Sequence, residues 1–292
     1  MMIVYGAGSE ELGVKIAEQL QVKARGVESK IFPDGESYIR FTENLEDQDL
    51  ILIHYCYPQQ DKKLMELFLM LDTAKDLGAK RTVAVIPYLP YARQDKRFRP
   101  GEVVSNKSVG RLLGAVGTDI LITIDVHSED SLKSFSLQTV NLSAMPLLAE
   151  YLKTLKLTRP YVLAPDRGAV IHAQLVSSIL KTDYAHFEKH RDRVTGDVVT
   201  DYKDVGIGDR DVIILDDIIS TGSTIANVAK VVRSKTARKI IAVCTHGLII
   251  GEAEKTMRES GVTDIISTDA IPSKFSRVSV STIISEALRK IL

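Results

Sequence analysis

The sequence predicts an α/β protein with two similar domains, each a largely parallel sheet flanked by helices. Short apolar runs, typical of strands that are buried on both faces of a parallel sheet, alternate with stretches of helical periodicity. The 292 residues leave room for two such sheets. The strand-like runs lie at residues 2–5, 50–54, 82–86, 120–124, 161–164, 212–215, 240–244 and 264–267.

The helices and the domain boundary are predicted from periodicity and from the segments between the runs. The clearest helix is predicted at residues 61–75, where apolar side chains recur on one face. We predict a loop at residues 137–141 and place the domain boundary there. The first domain then covers residues 1–141 and the second residues 142–279, and a last helix is predicted within residues 280–292.

The composition is that of a soluble globular protein, with 45% hydrophobic and 26% charged residues. The formal net charge is +0, so no overall field attracts nucleic acid or an anionic membrane. The cysteines, Cys56 and Cys244, are far apart, which favours a reducing compartment and argues against a structural metal. No basic leader precedes the first run, and no apolar run approaches the length of a membrane span. We therefore expect a cytoplasmic protein without a nucleic-acid or membrane partner.

The most informative stretch, residues 211–226, joins three patterns. A buried strand at residues 212–215 is followed by the carboxylates Asp216 and Asp217, and then by a turn rich in hydroxyl groups that opens a helix. Free backbone N–H groups at the start of a helix bind anions, and adjacent carboxylates accept hydrogen bonds from a vicinal diol. A phosphate at one end and a diol at the other describe ribose 5-phosphate. The residues expected to contact it are Asp216, Asp217, Ser220, Thr221, Gly222, Ser223 and Thr224.

The simpler alternative is a turn that only caps a helix, with the aspartates forming a solvated strand end. We favour the functional interpretation because strand, carboxylate pair and turn occur together. The stretch resembles the phosphoribosyl-pyrophosphate-binding motif of the type I phosphoribosyltransferase fold. That fold includes the phosphoribosyltransferases, the phosphoribosyl pyrophosphate synthetases and a few regulators without enzymatic activity, so other elements must decide among them.

Residues 32–36 read Phe-Pro-Asp-Gly-Glu and predict a turn, which by itself needs no functional explanation. They match, residue for residue, a loop of the synthetases that the transferases lack. The resemblance implies that Phe32 stacks on the adenine of ATP, while Asp34 and Glu36 accept hydrogen bonds from it. Gly35 belongs to the same implied site. The resemblance also implies that this loop serves the active site of a neighbouring subunit, so that the active form is a homo-oligomer, at least a dimer.

Arg93 and Gln94 follow the run at residues 82–86, in a segment with several other charges. A charge run of this kind is usually a solvated loop. The segment resembles the synthetase loop in which an arginine and a glutamine contact ATP, and a guanidinium suits a phosphate because it donates in pairs. Gly6 and Gly8 are only half of a dinucleotide fingerprint, and the sequence contains no P-loop. ATP would therefore bind without one.

Asp125 and His127 come after the run at residues 120–124, and Asp166 comes after the run at residues 161–164. A lone histidine at a strand end is more often structural than a ligand. Both elements resemble metal-binding elements of the synthetases, and the resemblance assigns metal binding to all three side chains and ATP contact to His127. Carboxylate and imidazole groups from separate strand ends, completed by phosphate oxygens and water, suit Mg²⁺. We expect two Mg²⁺ ions per site.

Residues 187–210 form a long polar stretch. Its composition is compatible with a mobile lid over an active site or with a disordered basic connector. It resembles the catalytic loop of the synthetases, whose lysine and second-following arginine correspond to Lys189 and Arg191. The resemblance implies that both residues are catalytic and that Arg191 also contacts ribose 5-phosphate.

These elements occur in family order over nearly the whole chain, which is identified as a member of the ribose-phosphate pyrophosphokinases, of the shorter archaeal kind. The resemblance implies transfer of the β,γ-diphosphoryl group of MgATP to the C1 hydroxyl of ribose 5-phosphate, giving phosphoribosyl pyrophosphate and AMP. It also implies that residues 280–292 pack on the first domain. Two alternatives remain: a phosphoribosyltransferase, which has no use for residues 32–36, and an inactive relative that regulates a true synthetase.

Overall fold

The computed structural model of the protein describes residues 1–191, 198–201 and 206–292, and within these it describes residues 188–191 and 198–201 by their backbone. The chain divides into two units, each with its own sheet and core. Among the described residues, no helix combines the length and the apolar character needed to cross a membrane.

The first unit comprises Met1–Ser143 together with Val280–Leu292. Its elements up to the boundary are β1 (Met2–Tyr5), α1 (Glu10–Leu20), β2 (Ala24–Gly26), β3 (Glu28–Ile31), β4 (Ser37–Arg40), β5 (Asp49–Ile53), α2 (Gln60–Asp76), β6 (Arg81–Val85), α3 (Ser105–Ala115), β7 (Ile120–Ile124), α4 (Glu129–Leu132) and β8 (Gln138–Leu142). The main sheet has the strand order β2-β1-β5-β6-β7-β8, and its neighbouring strands are parallel. Strands β3 and β4 form a separate antiparallel hairpin.

The second unit comprises Ala144–Ser279. Its elements are α5 (Met145–Thr154), β9 (Tyr161–Ala164), α6 (Val170–Leu180), β10 (Asp183–His186), β11 (Glu188–Arg191), β12 (Val198–Asp201), β13 (Asp211–Ile219), α7 (Ser223–Ser234), β14 (Lys239–Gly247), α8 (Ala253–Glu259), β15 (Asp264–Thr268) and β16 (Ser276–Val278). The sheet has the order β10-β9-β13-β14-β15-β16, again with parallel neighbours. The predicted fold class is therefore confirmed.

Strand β13 shows why its apolar run has no polar alternation. Val212 and Ile214 pack in the core cluster that includes α7, whereas Ile213 and Leu215 pack in the cluster that includes α5 and α6. Each of these four side chains is fully buried. Burial of one such side chain stabilises the fold by roughly 1.5–3 kcal/mol. A strand covered by helices on both faces needs apolar residues at every position.

Two strand assignments predicted from the sequence are wrong, namely the loop at residues 137–141 and the end of the strand at residue 215. Residues 137–141, predicted to be a loop, largely form strand β8 at the edge of the first sheet, and the unit boundary falls after Ser143. Strand β13 continues through Asp216 and Asp217 instead of ending before them. The reason is pairing with β14, which extends to Gly247 alongside it. Strands were predicted from apolar runs. This criterion misses a polar strand at the edge of a sheet and ends a strand too early when carboxylates lie within it.

The long polar stretch at residues 187–210 contains β11 and β12, which pair antiparallel. Lys189 lies opposite Thr200, and Arg191 lies opposite Val198. Neither strand shows the apolar run on which the strand predictions depend. The side chains of Lys189 and Arg191 lie outside what the structure describes, so their predicted roles stay predictions.

The last helix, α9 (Ser281–Ile291), belongs to the first unit. The Gln19 side-chain amide donates to the Ser281 hydroxyl over 3.0 Å, and Arg81 donates to the Ile291 carbonyl over 2.9 Å. Ile284 and Leu288 are fully buried. The helix therefore completes the first unit with both apolar packing and hydrogen bonds.

Candidate active site

The predicted site residues lie at the carboxyl ends of neighbouring strands. In the first unit, Arg93 and Gln94 follow β6, and His127 follows the adjacent β7. In the second unit, Asp166 follows β9, and Asp216 lies toward the end of the adjacent β13. Carboxyl ends of parallel strands share one edge of a sheet, where α/β proteins bind their ligands. The main sheet of each unit thus carries several predicted residues at the carboxyl ends of its strands, whereas residues 32–36, Lys189 and Arg191 lie on separate hairpins.

The second unit has an acidic edge made of Asp166, Asp216 and Asp217. The Asp217 N–H donates to Asp216 Oδ1 over 3.0 Å, and the Ile218 N–H donates to Asp217 Oδ1 over 2.8 Å. Burial, the charge and hydrogen bond of Asp217 and the charge of Asp166 together raise the pKa of Asp216 to about 8. Negative charge concentrated in this way favours hydroxyl donors and cations as ligands.

The turn after β13 is built for an anion. Gly222 has φ of +72° and directly precedes α7, which begins without a side-chain cap hydrogen bond. The hydroxyls of Thr221 and Ser223 hydrogen-bond each other at 3.1 Å, and both residues are exposed. The first N–H groups of α7 therefore have no side-chain cap. Uncapped N–H groups at a helix N-terminus suit a phosphate.

Gly222 is required by space as well as by conformation. A Cβ atom at this position would lie 3.0 Å from Met257 Cγ and 3.1 Å from the Ala253 carbonyl oxygen, both on α8. The backbone of α8 cannot move away as a flexible side chain can. The close packing of α8 thus holds the turn in place.

The turn after β7 projects His127 from the edge of the first sheet. Asp125 is 3% exposed with φ of +36°, whereas His127 is exposed. The Asp125 N–H donates to the Leu142 carbonyl over 2.8 Å, and the Val126 N–H donates to Asn141 Oδ1 over 3.1 Å. Strand β8 therefore holds this turn through two hydrogen bonds. Asn141 is a site-shaping residue that the sequence analysis missed, because it lay in the segment predicted to be a loop.

The groups predicted to hold Mg²⁺ are carboxylates and an imidazole. Among the described residues, no group of three or more His, Cys, Asp or Glu side chains is placed to hold a metal ion. Asp166 Oδ1 accepts the Gly168 N–H over 2.9 Å, which orients that carboxylate. Mg²⁺ binds through one or two carboxylates and completes its shell with phosphate oxygens and water. The carboxylates of Asp125 and Asp166 are of the chemical type that Mg²⁺ binds.

Residues 32–36 close the β3–β4 hairpin. The Phe32 N–H donates to the Glu36 carbonyl over 2.8 Å, and Gly35 supplies the left-handed conformation with φ of +96°. The Glu36 N–H donates to Asp34 Oδ1 over 3.1 Å. Phe32 is 38% exposed, with the Tyr38 ring 5.9 Å away in an edge contact. The hairpin thus presents an aromatic ring to solvent, where a planar base could stack.

Arg93 and Gln94 are both exposed in the segment after β6. The Asn106 N–H donates to the Gln94 carbonyl over 3.2 Å, and the Ser105 hydroxyl donates to Gln94 Oε1. These bonds tie Gln94 to the start of α3 and fix the orientation of its amide. Arg93 precedes Gln94 in the chain and contributes an exposed positive charge to this segment.

Comparison with known proteins places the chain in a family. Models for the N-terminal domain of ribose phosphate pyrophosphokinase and for the phosphoribosyl synthetase-associated domain match residues 1–117 and 189–292, respectively. The ribose-phosphate pyrophosphokinase of Sulfurisphaera tokodaii is 37% identical over the full length of both chains. That of Methanothermobacter thermautotrophicus is 38% identical over 99% of this chain and 100% of its own. The chain belongs to the ribose-phosphate pyrophosphokinase family.

A solved structure agrees with this membership. The phosphoribosylpyrophosphate synthetase of Mycobacterium smegmatis superposes with a TM-score of 0.88 at 27% identity, covering 99% of this chain and 98% of its own. The ribose-phosphate pyrophosphokinase of Haemophilus influenzae is 34% identical over 98% of this chain and 94% of its own. The family, the enzyme class and the activity predicted from the sequence are therefore confirmed.

Proposed function

We propose that this ribose-phosphate pyrophosphokinase transfers the β,γ-diphosphoryl group of MgATP to the C1 hydroxyl of ribose 5-phosphate. The products are phosphoribosyl pyrophosphate and AMP. The observation that carries the proposal is the edge of the second sheet, where a carboxylate pair adjoins an uncapped helix N-terminus held open by Gly222. In a chain that aligns end to end with pyrophosphokinases, this edge suits the sugar phosphate.

Ribose 5-phosphate is assigned to the second unit. The N–H groups at the start of α7 and the hydroxyls of Ser220, Thr221, Ser223 and Thr224 would bind its phosphate, because they are donors on a positive helix end. Asp216 and Asp217 would accept hydrogen bonds from its hydroxyl groups. Asp216 has its pKa raised to about 8 by burial and by its acidic neighbours, so near pH 7 it also holds a proton that it can donate to a sugar oxygen.

ATP is assigned to residues of the first unit. Phe32 would stack on the adenine, and the carboxylates of Asp34 and Glu36 would accept from its amino group. Arg93, Gln94 and His127 would bind the phosphates as cationic or neutral donors. Exposure of the Phe32 ring and of the Arg93 side chain supports these roles, since neither group is used in the core.

Two Mg²⁺ ions would bind, one held by Asp125 and His127 of the first unit and the other by Asp166 of the second unit. When bound, Mg²⁺ neutralises the phosphate charge and stabilises the charge that develops on the leaving oxygen. The chain itself contributes positioning: the turn at Gly222 and the carboxylate pair hold the C1 hydroxyl in a defined orientation. Lys189 and Arg191, on β11, would donate to the transferring group.

The function is tested by analysing the products after mixing the protein with Mg²⁺, ATP and ribose 5-phosphate. AMP that appears in step with phosphoribosyl pyrophosphate, and only when the sugar is present, is the expected result. ADP would indicate transfer of one phosphoryl group. Pyrophosphate release that depends on an added base would indicate a phosphoribosyltransferase. Sugar-phosphate binding without turnover would indicate a regulator.

Replacing Asp217 with asparagine should mainly weaken sugar binding. The change removes a charged acceptor from the proposed diol site, and a hydrogen bond to a charged group accounts for about a tenfold change in affinity or more. We expect KM for ribose 5-phosphate to rise about tenfold, with KM for ATP unchanged. Asp264→Asn, at the opposite end of the neighbouring β14–β15 pair, is the control. Unchanged sugar affinity in Asp217→Asn would assign that carboxylate a structural role.

We further propose that the active form is at least a dimer, in which the 32–36 loop of one protomer completes the adenine site of its partner. The exposed aromatic ring at the tip of a hairpin that stands outside the main sheet supports this arrangement. Light scattering at assay concentration should therefore report a dimer or a larger assembly. Full activity from a particle with the mass of one chain would contradict the shared site.

A further inference from the structure

A buried carboxylate, Glu66 of α2, is bonded to the hairpin that carries the 32–36 loop. We propose that Glu66 is a positioning residue that holds this loop through Ser37 and thereby sets the affinity of the enzyme for ATP. The inference rests on the proposed function, in which the loop binds the adenine. It identifies a residue that touches neither substrate and lies outside every motif found in the sequence.

The hairpin has little other attachment near its tip. All of β3 and residues 32–36 are exposed, whereas Ser37 is half-buried. Ser37 pairs with Ile31, which makes it the residue that closes the loop. Its hydroxyl donates to Glu66 Oε1 over 2.9 Å. The bond therefore acts at the base of the loop, next to Glu36.

Glu66 is held firmly enough to serve as an anchor. Its side chain is 8% exposed, and its other oxygen accepts from Lys63 Nζ over 2.9 Å. Lys63 also donates to the Ala7 carbonyl over 3.3 Å, and the buried ring of His54 donates from Nε2 to the Lys63 carbonyl over 3.1 Å. The anchor is thus tied to α2, to the segment after β5 and to the turn after β1. Three parts of the first unit fix its position.

The charge of Glu66 makes its bond to Ser37 strong. Burial acts to raise its pKa, but hydrogen bonds from Lys63 and Ser37 and the charge of Lys63 prevail, so the pKa of Glu66 lies below its usual range. It is therefore ionised near pH 7, and a buried carboxylate needs its donors. The Glu28–Arg40 pair at the open end of the same hairpin is 54% and 57% exposed and is screened by water. That pair joins the two strands of the hairpin to each other, whereas the Ser37–Glu66 bond joins the hairpin to α2.

Ser37→Ala tests the proposal in the full-length enzyme. We expect KM for ATP to rise about tenfold, with kcat within about twofold of the parent and KM for ribose 5-phosphate unchanged, because only the loop loses its support. Ser37→Thr keeps the hydroxyl and should restore KM for ATP. In a Glu66→Gln background, Ser37→Ala should raise KM for ATP by a smaller factor than in the parent, since the charged acceptor is already absent. Glu28→Gln, which weakens the exposed pair on the same hairpin, should leave KM for ATP unchanged.

Phe32→Ala separates failure of this proposal from failure of the proposed function. If Phe32→Ala raises KM for ATP and Ser37→Ala does not, the loop binds ATP but Glu66 does not position it. If Phe32→Ala leaves KM for ATP unchanged, the adenine assignment itself is wrong. A Ser37→Thr variant as impaired as Ser37→Ala would also overturn the proposal, because it would show that the shape of the side chain matters and its hydroxyl does not.

Discussion

Replacing Lys189 with alanine is expected to lower kcat about 100-fold or more, with smaller changes in both KM values. The transferring group carries charge that grows in the transition state, and a positioned cation stabilises that state more than the bound substrates. Lys189 and Arg191 both belong to strand β11. Single-turnover measurement of AMP formation gives the rate of the chemical step.

The control for this variant is Lys230→Ala, which removes an exposed lysine of α7 that has no place in the proposed site. It should retain the kcat of the parent. Lys189→Arg keeps the charge and should recover part of the lost rate. A kcat for Lys189→Ala within about threefold of the parent would exclude the lysine from the mechanism, since so small a change is less than the loss of a transition-state donor causes.

Gly222→Ala is expected to raise KM for ribose 5-phosphate about 100-fold, because loss of two hydrogen bonds from N–H groups to a charged phosphate corresponds to at least this factor. The added Cβ would meet Met257 and the carbonyl oxygen of Ala253 at 3.0 and 3.1 Å, so the turn and α8 must move apart by a few tenths of an ångström. The left-handed conformation also costs an alanine about 1–2 kcal/mol of stability. Steady-state kinetics and thermal unfolding would measure both effects.

Gly8→Ala separates these two effects. Gly8 has φ of +84°, and a Cβ there would meet nothing within 4 Å. The variant therefore carries the backbone strain without the collision, in the unit to which the sugar phosphate is not assigned. It should lose a similar amount of stability and keep its KM for ribose 5-phosphate. If Gly222→Ala behaves in the same way, the turn does not bind the phosphate.

The buried strands could be predicted from the sequence because a strand covered on both faces needs an apolar residue at every position, and this produces a visible apolar run. Strands β7 and β9 have the bounds of their apolar runs, since helices cover both faces of each sheet and polar residues flank the runs. The positions of some strand ends could be predicted for a related reason. The carboxyl ends of β7 and β9 lie where their apolar runs end and polar residues follow, whereas β13 continues past its run.

Features that depend on pairing between distant segments could not be predicted. Strand β8 is a polar edge strand without an apolar run, and its pairing with β7 identifies it as a strand. The bond from the Val126 N–H to Asn141 spans 15 residues, and the bond from Ser37 to Glu66 spans 29. The raised pKa of Asp216 comes mainly from burial and from Asp217, with a further contribution from Asp166, which follows β9. None of these contacts has a periodicity or a local motif.

The membership of α9 in the first unit has a consequence for how the chain is made. The second unit is continuous from Ala144 to Ser279, so its sheet can close as soon as those residues have left the ribosome. The first unit begins earlier, but Gln19 and Arg81 must wait for α9 to supply their hydrogen-bond partners. During synthesis, the first unit therefore starts first and is completed last. The surface that α9 covers stays exposed to solvent until that helix has been made.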